Sequence, residues 1–362
     1  MTADPQNTDS EAQPGAVRRT RSERLLEAIS PFRRVVVVSH VNPDPDSMAS
    51  ALGIKALVES KQPGKPVILT VDGMIARSEN RAMADLIPIP LVPVQQVIID
   101  HETAVVMVDT QPYTGRRHSE AAMPQVVIDH HDTGGVVEGV LFSDIRTHLG
   151  ATSTMVTGYL IEQSVVVTPQ LATALLYGID SETTGYPREA SSLDDGALIW
   201  LFPRADKDLL AQIRNPKLPQ SHFATFQHAL ANAFLYNELV VSWCGTVTQP
   251  DIIAELADFF IRFDQVGWSL SAGVFESQLK LSLRASSLGG RAGETLHTVV
   301  NGMGTAGGHD KRAGGAIPLT DVSPETVEAL LATVRRRLLD QLHIDEHRGH
   351  RLLNGCRVIP AP

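Results

Sequence analysis

Val35-Val-Val-Val-Ser-His40-Val-Asn-Pro-Asp44-Pro-Asp46-Ser-Met-Ala-Ser50 opens as a run of β-branched residues and turns at once into a histidine and two carboxylates. An unbroken valine run suits a parallel strand buried on both faces. The same order recurs at Ala104-Val-Val-Met-Val108, which runs into Asp109, and at Gln125-Val-Val-Ile128, which runs into Asp129-His130-His131. In an open α/β sheet, ligands bind at the carboxyl ends of the strands. One acidic residue after a strand is ordinarily a turn or a helix cap. Acid and histidine clusters at several strand ends need a shared purpose, and divalent metal binding supplies one.

Helical patterns at about 21–30, 48–60, 78–86, 151–163 and 169–176 alternate with the aliphatic runs. This predicts an α/β domain with a mainly parallel sheet and helices on both faces. A second series begins near residue 239, with strands at about 239–245, 265–276 and 278–284 and helices at about 251–260, 296–301 and 324–342. It predicts a smaller C-terminal α/β domain, with the active site in the cleft between the two. The expected boundaries are a disordered tail at 1–23, rich in Pro, Gln, Ser, Asp and Arg, a catalytic domain at 24–203 and a helical linker at 204–235. A substrate-binding domain at 236–345 and a second tail at 346–362 follow.

Two divalent ions about 3.5–4 Å apart need oxygen and imidazole ligands from several segments, usually with one bridging carboxylate. His40, Asp44 and Asp46 come from one turn, in which Pro43 and Pro45 are expected to keep the backbone extended. The two carboxylates can then face different ions. Asp109, alone at its strand end, suits the bridge. His130 and His131 are adjacent, so one is expected to face metal and the other substrate. Asn42, Pro43, Asp44 and Ser47 also read as turn and capping residues for the helix that follows. Thr152 or Ser153 is expected to cap the helix after Gly150, with phosphate binding by its free N–H groups as the alternative.

These motifs together resemble the DHH phosphoesterase superfamily, named for the triplet seen here at Asp129, His130 and His131. His40-Val-Asn-Pro-Asp-Pro-Asp46 resembles its first motif, Val-Met-Val-Asp109 its second, and Gly178-Ile-Asp-Ser-Glu-Thr183 its fourth. In the glycine-dense segment Asn301 to Gly315, Gly307-Gly-His309 followed by Ala313-Gly-Gly315 resembles the substrate loop of the DHH-associated domain. The resemblance covers nearly the whole chain and is nearest to the nanoRNase and pAp-phosphatase branch. It implies two manganese ions, one on His40, Asp44 and Asp109, the other on Asp46, Asp109, His130 and an acid of the fourth motif. That acid is Glu182 or Asp180, because the usual aspartate of the motif aligns with Glu182. His131 is implied to contact the scissile phosphate. Arg188, Arg284, Gly307, Gly308, His309 and Arg312 are the expected substrate contacts.

The net charge of −10 disfavours a protein that wraps long duplex nucleic acid, whereas a short oligonucleotide or small phosphoester remains open as a substrate. Two cysteines form no disulfide framework and fit a reducing cytoplasm. No apolar run reaches the roughly 18 residues needed to cross a bilayer, so no membrane partner is expected. A homodimer is compatible with the sequence. The expected activity is hydrolysis of short oligoribonucleotides or linear dinucleotides to mononucleotides. The alternatives are a pAp, pyrophosphate or polyphosphate hydrolase, and a nucleotide-binding sensor with impaired turnover.

Overall fold

The computed structural model describes residues 19–112, 123–132, 139–183, 190–286, 290–308, 310–345 and 349–353. The chain divides into two compact units, 1–75 with 79–216 and 76–78 with 217–362. The stretch expected to be a separate linker is shared between them, with helix 207–214 in the first unit and helix 220–231 in the second.

The first unit is built on strands β1 (Arg34–Val38), β2 (Val67–Val71), β3 (Leu91–Pro93), β4 (Thr103–Val108), β5 (Val126–Asp129) and β6 (Phe142–Ile145). They pair in parallel in the order β3-β2-β1-β4-β5-β6. The chain works outward from β1 to one edge and then from β4 to the other. Its change of direction therefore lies between β1 and β4, where such sheets open a crevice. Register does the rest. Val38 pairs with Met107 and Val108 with Ile128, so the residues just past three strand ends lie side by side. β4 is buried at every position, as its unbroken apolar run requires.

The helices of this unit are α1 (Arg21–Ile29), α2 (Pro45–Lys61), α3 (Ser78–Leu86), α4 (Thr152–Glu162), α5 (Pro169–Thr183), α6 (Ser192–Leu201) and α7 (Lys207–Arg214). Their buried residues, among them Leu25, Ile54, Met83, Met155, Leu175 and Ile213, share one core with Val35, Val37, Val106 and Ile128. The alternate strand residues Val36, Val38 and Val105 pack against Ile68, Val97 and Ile99. α2 starts at Pro45, earlier than the expected Met48, because proline suits the first helical turn, where no N–H is needed. Backbone expected to be extended at Pro45 is therefore helical. α5 also outruns its expected end at 176 and carries the fourth motif into helix. Among the described residues, no helix is long and apolar enough to cross a membrane.

The second unit holds helices α8 (Gln220–Ala231), α9 (Asp251–Phe260), α10 (Ala292–Val300) and α11 (Pro324–Gln341) around one sheet. Its strands are β7 (Ala233–Tyr236), β8 (Leu239–Thr246), β9 (Trp268–Phe275), β10 (Gln278–Ala285), β11 (Thr305–Gly308), β12 (Arg312–Pro318) and β13 (His350–Arg351). The order is β11-β12-β10-β9-β8-β7-β13, with β8 and β9 parallel and the other pairs antiparallel. The glycine-dense segment, read from sequence as a loop, instead forms the β11–β12 pairing. Gly308 sits at φ +157, and a Cβ there would lie 2.2 Å from the Arg312 carbonyl oxygen. Only glycine admits that approach.

Cys244 on β8 packs with Ile253, Leu256 and Phe260. Burial pushes its thiol up to about 12, against roughly 8.5 for a free thiol. A raised thiol pKa means that the fold favours the protonated form. Its contribution to stability is complete below about pH 8.5 and is lost as pH rises toward about 12. In a Cys356→Ser background, the native protein is expected to ignore a thiol reagent at about pH 8 and to react once denatured. Immediate reaction of the native protein would contradict this burial.

Candidate metal centre

The turn after β1 brings His40, Asp44 and Asp46 to the crevice. Asn42 takes a positive φ of 60, and its side-chain oxygen accepts the N–H of Met74 at 2.8 Å. Asp44 is the N-cap of α2: its Oδ1 accepts the Ser47 N–H at 3.0 Å, and the Ser47 hydroxyl oxygen accepts the Asp44 N–H. The capping and metal readings coexist, because the other oxygen, Oδ2, lies 3.5 Å from His40 Nε2.

Asp109 follows β4 at φ +57, a left-handed backbone conformation costing about 1–3 kcal/mol in a non-glycine residue. One of its oxygens, Oδ2, stands 3.4 Å from His40 Nε2, and the other, Oδ1, stands 3.5 Å from His130 Nε2. Each histidine is turned to present Nε2. His40 Nδ1 lies 3.0 Å from the Val41 carbonyl oxygen and His130 Nδ1 lies 3.1 Å from that of Leu149. Asp46 Oδ2 is 3.8 Å from His130 Nε2. His130 Nε2 is buried and makes no hydrogen bond.

These spacings fit metal ligation. Donors each roughly 2.1 Å from a shared ion stand about 3.0–3.5 Å apart. Donor atoms of His40, Asp44 and Asp109 gather within 4.8 Å of one another, as do those of Asp109, His130 and His131. The electrostatics agree. Burial opposes charge on His40, but the carboxylates of Asp109 and Asp44 outweigh it and push its pKa up to about 11. His130 is likewise raised, to about 10, by Asp109 against its burial. Burial works against the charge of Asp109 too, yet the two imidazoles hold it below the usual carboxylate range. Asp46 moves the other way, raised well above that range by burial and then by the charge of Asp109. A cation between Asp46 and Asp109 would offset both causes.

The segment carrying these groups, residues 34–179, matches the DHH family, N-terminal domain. The uncharacterised protein MJ1633 of Methanocaldococcus jannaschii is 29% identical over 286 residues, 79% of this chain and 58% of that protein. The cyclic-di-AMP phosphodiesterase GdpP of Geobacillus thermodenitrificans is 30% identical over 208 residues, 54% of this chain and 31% of GdpP. This chain thus spans less than two thirds of either relative. The crystal structure of an exopolyphosphatase-related protein from Bacteroides fragilis aligns with a TM-score of 0.63 over 89% of this chain and 97% of that one. At 14% identity, it shares the fold.

Within the matched segment, the Asp129-His130-His131 triplet divides its labour. Asp129 supports its two neighbours: its Oδ1 accepts the His130 N–H at 2.8 Å and lies 2.9 Å from His131 Nδ1. His131 Nδ1 is thereby engaged, although Asp109 Oδ1 lies 3.8 Å away. Asp46 has a second task. Its oxygens accept the N–H groups of Thr152 and Ser153 at 2.7 Å each, so a residue of α2 caps α4. The expected caps, Thr152 and Ser153, are replaced by Asp46, and those two N–H groups are not left for a phosphate. The Thr152 hydroxyl donates to Asp109 Oδ1 at 3.1 Å instead.

The fourth motif resolves on the helix. A Cβ at Gly178 would come 2.6 Å from Ser153 Oγ and 3.1 Å from the Ala49 Cβ, so glycine lets α5 approach α2 and α4 closely. Glu182 lies one turn along the same face. It is half-buried, and its charge contributes to raising Asp46. Asp180 is turned to Arg214 of α7, whose Nη2 and Nε donate to Oδ2 at 2.5 and 3.1 Å. Asp180 is thus committed to Arg214, whereas Glu182 is the acid of this motif whose charge acts on Asp46. Asp180→Ala is expected to cost under about 1 kcal/mol, as for a partly exposed pair, and to leave manganese binding unchanged. Glu182→Ala is expected to weaken manganese binding by at least roughly ten-fold in calorimetric titration. The reverse pattern would give the ligand role to Asp180.

Of the expected substrate contacts, Arg188 and His309 lie outside the described residues. Arg284 is buried, donating from Nε to Asp258 at 2.5 Å and from Nη1 to Ser282 at 2.7 Å. That guanidinium is committed to its own unit. Gly307 and Gly308 pair with Gly314 and Ala313, and Arg312 pairs with Arg284 across β12 and β10. Sequence reasoning missed Gln111, Asp194 and the Leu149 carbonyl. Asp194 is fully buried and accepts the Gly150 N–H at 2.9 Å, holding the backbone beside Leu149. Asp194 is legible from sequence only as the capping-box partner of Ser191, and its bond to Gly150, like those of Gln111 and the Leu149 carbonyl, joins segments distant in the chain.

Proposed function

We propose that this chain is a manganese-dependent phosphodiesterase that hydrolyses short oligoribonucleotides or linear dinucleotides to 5′-mononucleotides at a two-metal site. The observation that carries the reading is Asp109, whose two oxygens each face the Nε2 of a different histidine. The DHH domain and its similarity to GdpP, a cyclic-di-AMP phosphodiesterase, support the reaction class.

His40, Asp44 and Asp109 would hold one ion, and Asp46, Asp109, His130 and Glu182 the other. Bound there, divalent ions offer Lewis-acid charge to a phosphoryl group and lower the pKa of water. With Nδ1 on Asp129, His131 has Nε2 left to meet a phosphate oxygen. His131 is about a quarter exposed, at 26%, whereas His130 is at 4%, which suits substrate contact for one and metal for the other. Gly307, Gly308 and Arg312 are assigned to substrate in the second unit. A reducing, cytoplasmic setting belongs to this reading and is supported by the absence of a disulfide framework.

The test is product release from 5′-pApA, pAp and tripolyphosphate by the purified chain with manganese. AMP from pApA is the expected result. Activity confined to pAp or tripolyphosphate would replace the phosphodiesterase with a phosphomonoester or phosphoanhydride hydrolase. Silence on all three with tight nucleotide binding would favour a sensor.

A further inference from the structure

We propose that Gln111 is a positioning residue for His131, an inference that rests on the phosphodiesterase reading of the site. Gln111 lies just past the end of β4 and is 1% exposed. Its amide nitrogen donates to Asp129 Oδ2 at 2.8 Å and to the His131 carbonyl oxygen at 2.8 Å. The side chain thus grips the triplet at both ends.

The consequence follows from how Asp129 shares its oxygens. Oδ1 serves the His130 N–H and His131 Nδ1, while Oδ2 accepts from Gln111. Asp129 is fully buried, so an oxygen deprived of its donor has no water to turn to. Without Gln111 the carboxylate gains by rotating toward another donor, and that rotation pulls Oδ1 away from His131. The His131 ring then loses the bond that keeps Nδ1 inward and Nε2 outward. The second bond, to the His131 carbonyl, holds the backbone on which the ring is mounted. Glutamate at this position has the same shape but sets an acceptor against an acceptor. Neither bond ends on an atom assigned to metal, and Asp129 meets His130 at its backbone N–H and not at its ring, so the effect is assigned to His131 and not to metal capture.

The experiment uses the full chain labelled with [15N]histidine. A low-field Nδ1–H resonance of His131, assigned by its loss in His131→Ala, is expected in the wild type and absent or strongly shifted in Gln111→Met and Gln111→Glu. Manganese stoichiometry by calorimetry is expected to be the same in all three. With pApA, Gln111→Met should lower kcat by about 10–100-fold, the range seen when a residue supporting an active group is removed, with KM changed by less than about three-fold. In a His131→Ala background the same substitution should change kcat by less than about two-fold.

An unchanged His131 resonance in both variants would overturn the proposal, as would an equal loss of kcat in both backgrounds. Should Gln111→Met fail to fold, the near-isosteric Gln111→Glu still decides through the resonance. Failure of the wild type to cleave pApA would count against the phosphodiesterase reading, while the resonance would still decide the role of Gln111.

Discussion

Asp109→Ala is expected to abolish pApA hydrolysis, lowering turnover by at least roughly 10³-fold, the scale lost when a group that organises charge at the reacting centre is removed. The reason is geometric. Asp109 is the one carboxylate common to both donor groups, so its loss dismantles both at once. Calorimetric titration should show manganese stoichiometry falling to one or none per chain. The fold is expected to persist, because Asp109 sits past the end of β4 and the apolar run behind it is untouched. Circular dichroism matching the wild type would confirm that point, whereas wholesale unfolding would remove the inference. Unchanged turnover in a folded variant would sink the site.

Asp46→Ala is expected to lose activity and, independently, to destabilise the metal-free protein. Two buried N–H groups, those of Thr152 and Ser153, lose their acceptor. Each orphaned donor costs about 1–3 kcal/mol. Part of that is offset, because the variant no longer buries a carboxylate beside Asp109. The expected net loss is about 2 kcal/mol. Asp46→Asn keeps one acceptor oxygen and should recover about half of it. The chain has two units, so a single melting transition is a poor measure. Hydrogen exchange at the Thr152 and Ser153 amides is the better one, and faster exchange in Asp46→Ala is the expected result. Exchange equal to the wild type would leave Asp46 with a metal role alone.

The strand-end clusters were legible because parallel strands buried on both faces leave a plain trace, an apolar run with chemistry where it stops. Val35 to Val38 and Ala104 to Val108 both show it, and the DHH-family match spans them. Other features were misread for a local reason. Pro45 suits extended backbone and a first helical turn equally, and the structure takes the second, so α2 begins there. Asp180 and Glu182 could not be separated while the end of α5 was set at 176. Once the helix runs to Thr183, the one-turn spacing from Gly178 to Glu182 separates them. The glycine-dense segment read as a loop because glycine weakens any strand signal, and only its pairing partner reveals β11.

The sequence by itself determined the parallel sheet, the identity of its ligand-bearing ends and the residue types gathered there. Those depend on periodicity and on residues adjacent in the chain. Only the tertiary structure decided which oxygen faces which nitrogen. Asp109 divides its carboxylate between His40 and His130 because β1, β4 and β5 are held in one register. Asp46 reaches Thr152 because α2 and α4 pack closely, and Gln111 reaches Asp129 because β4 and β5 are neighbours. Such pairings join segments far apart in sequence, and their distances exist only once the core has packed.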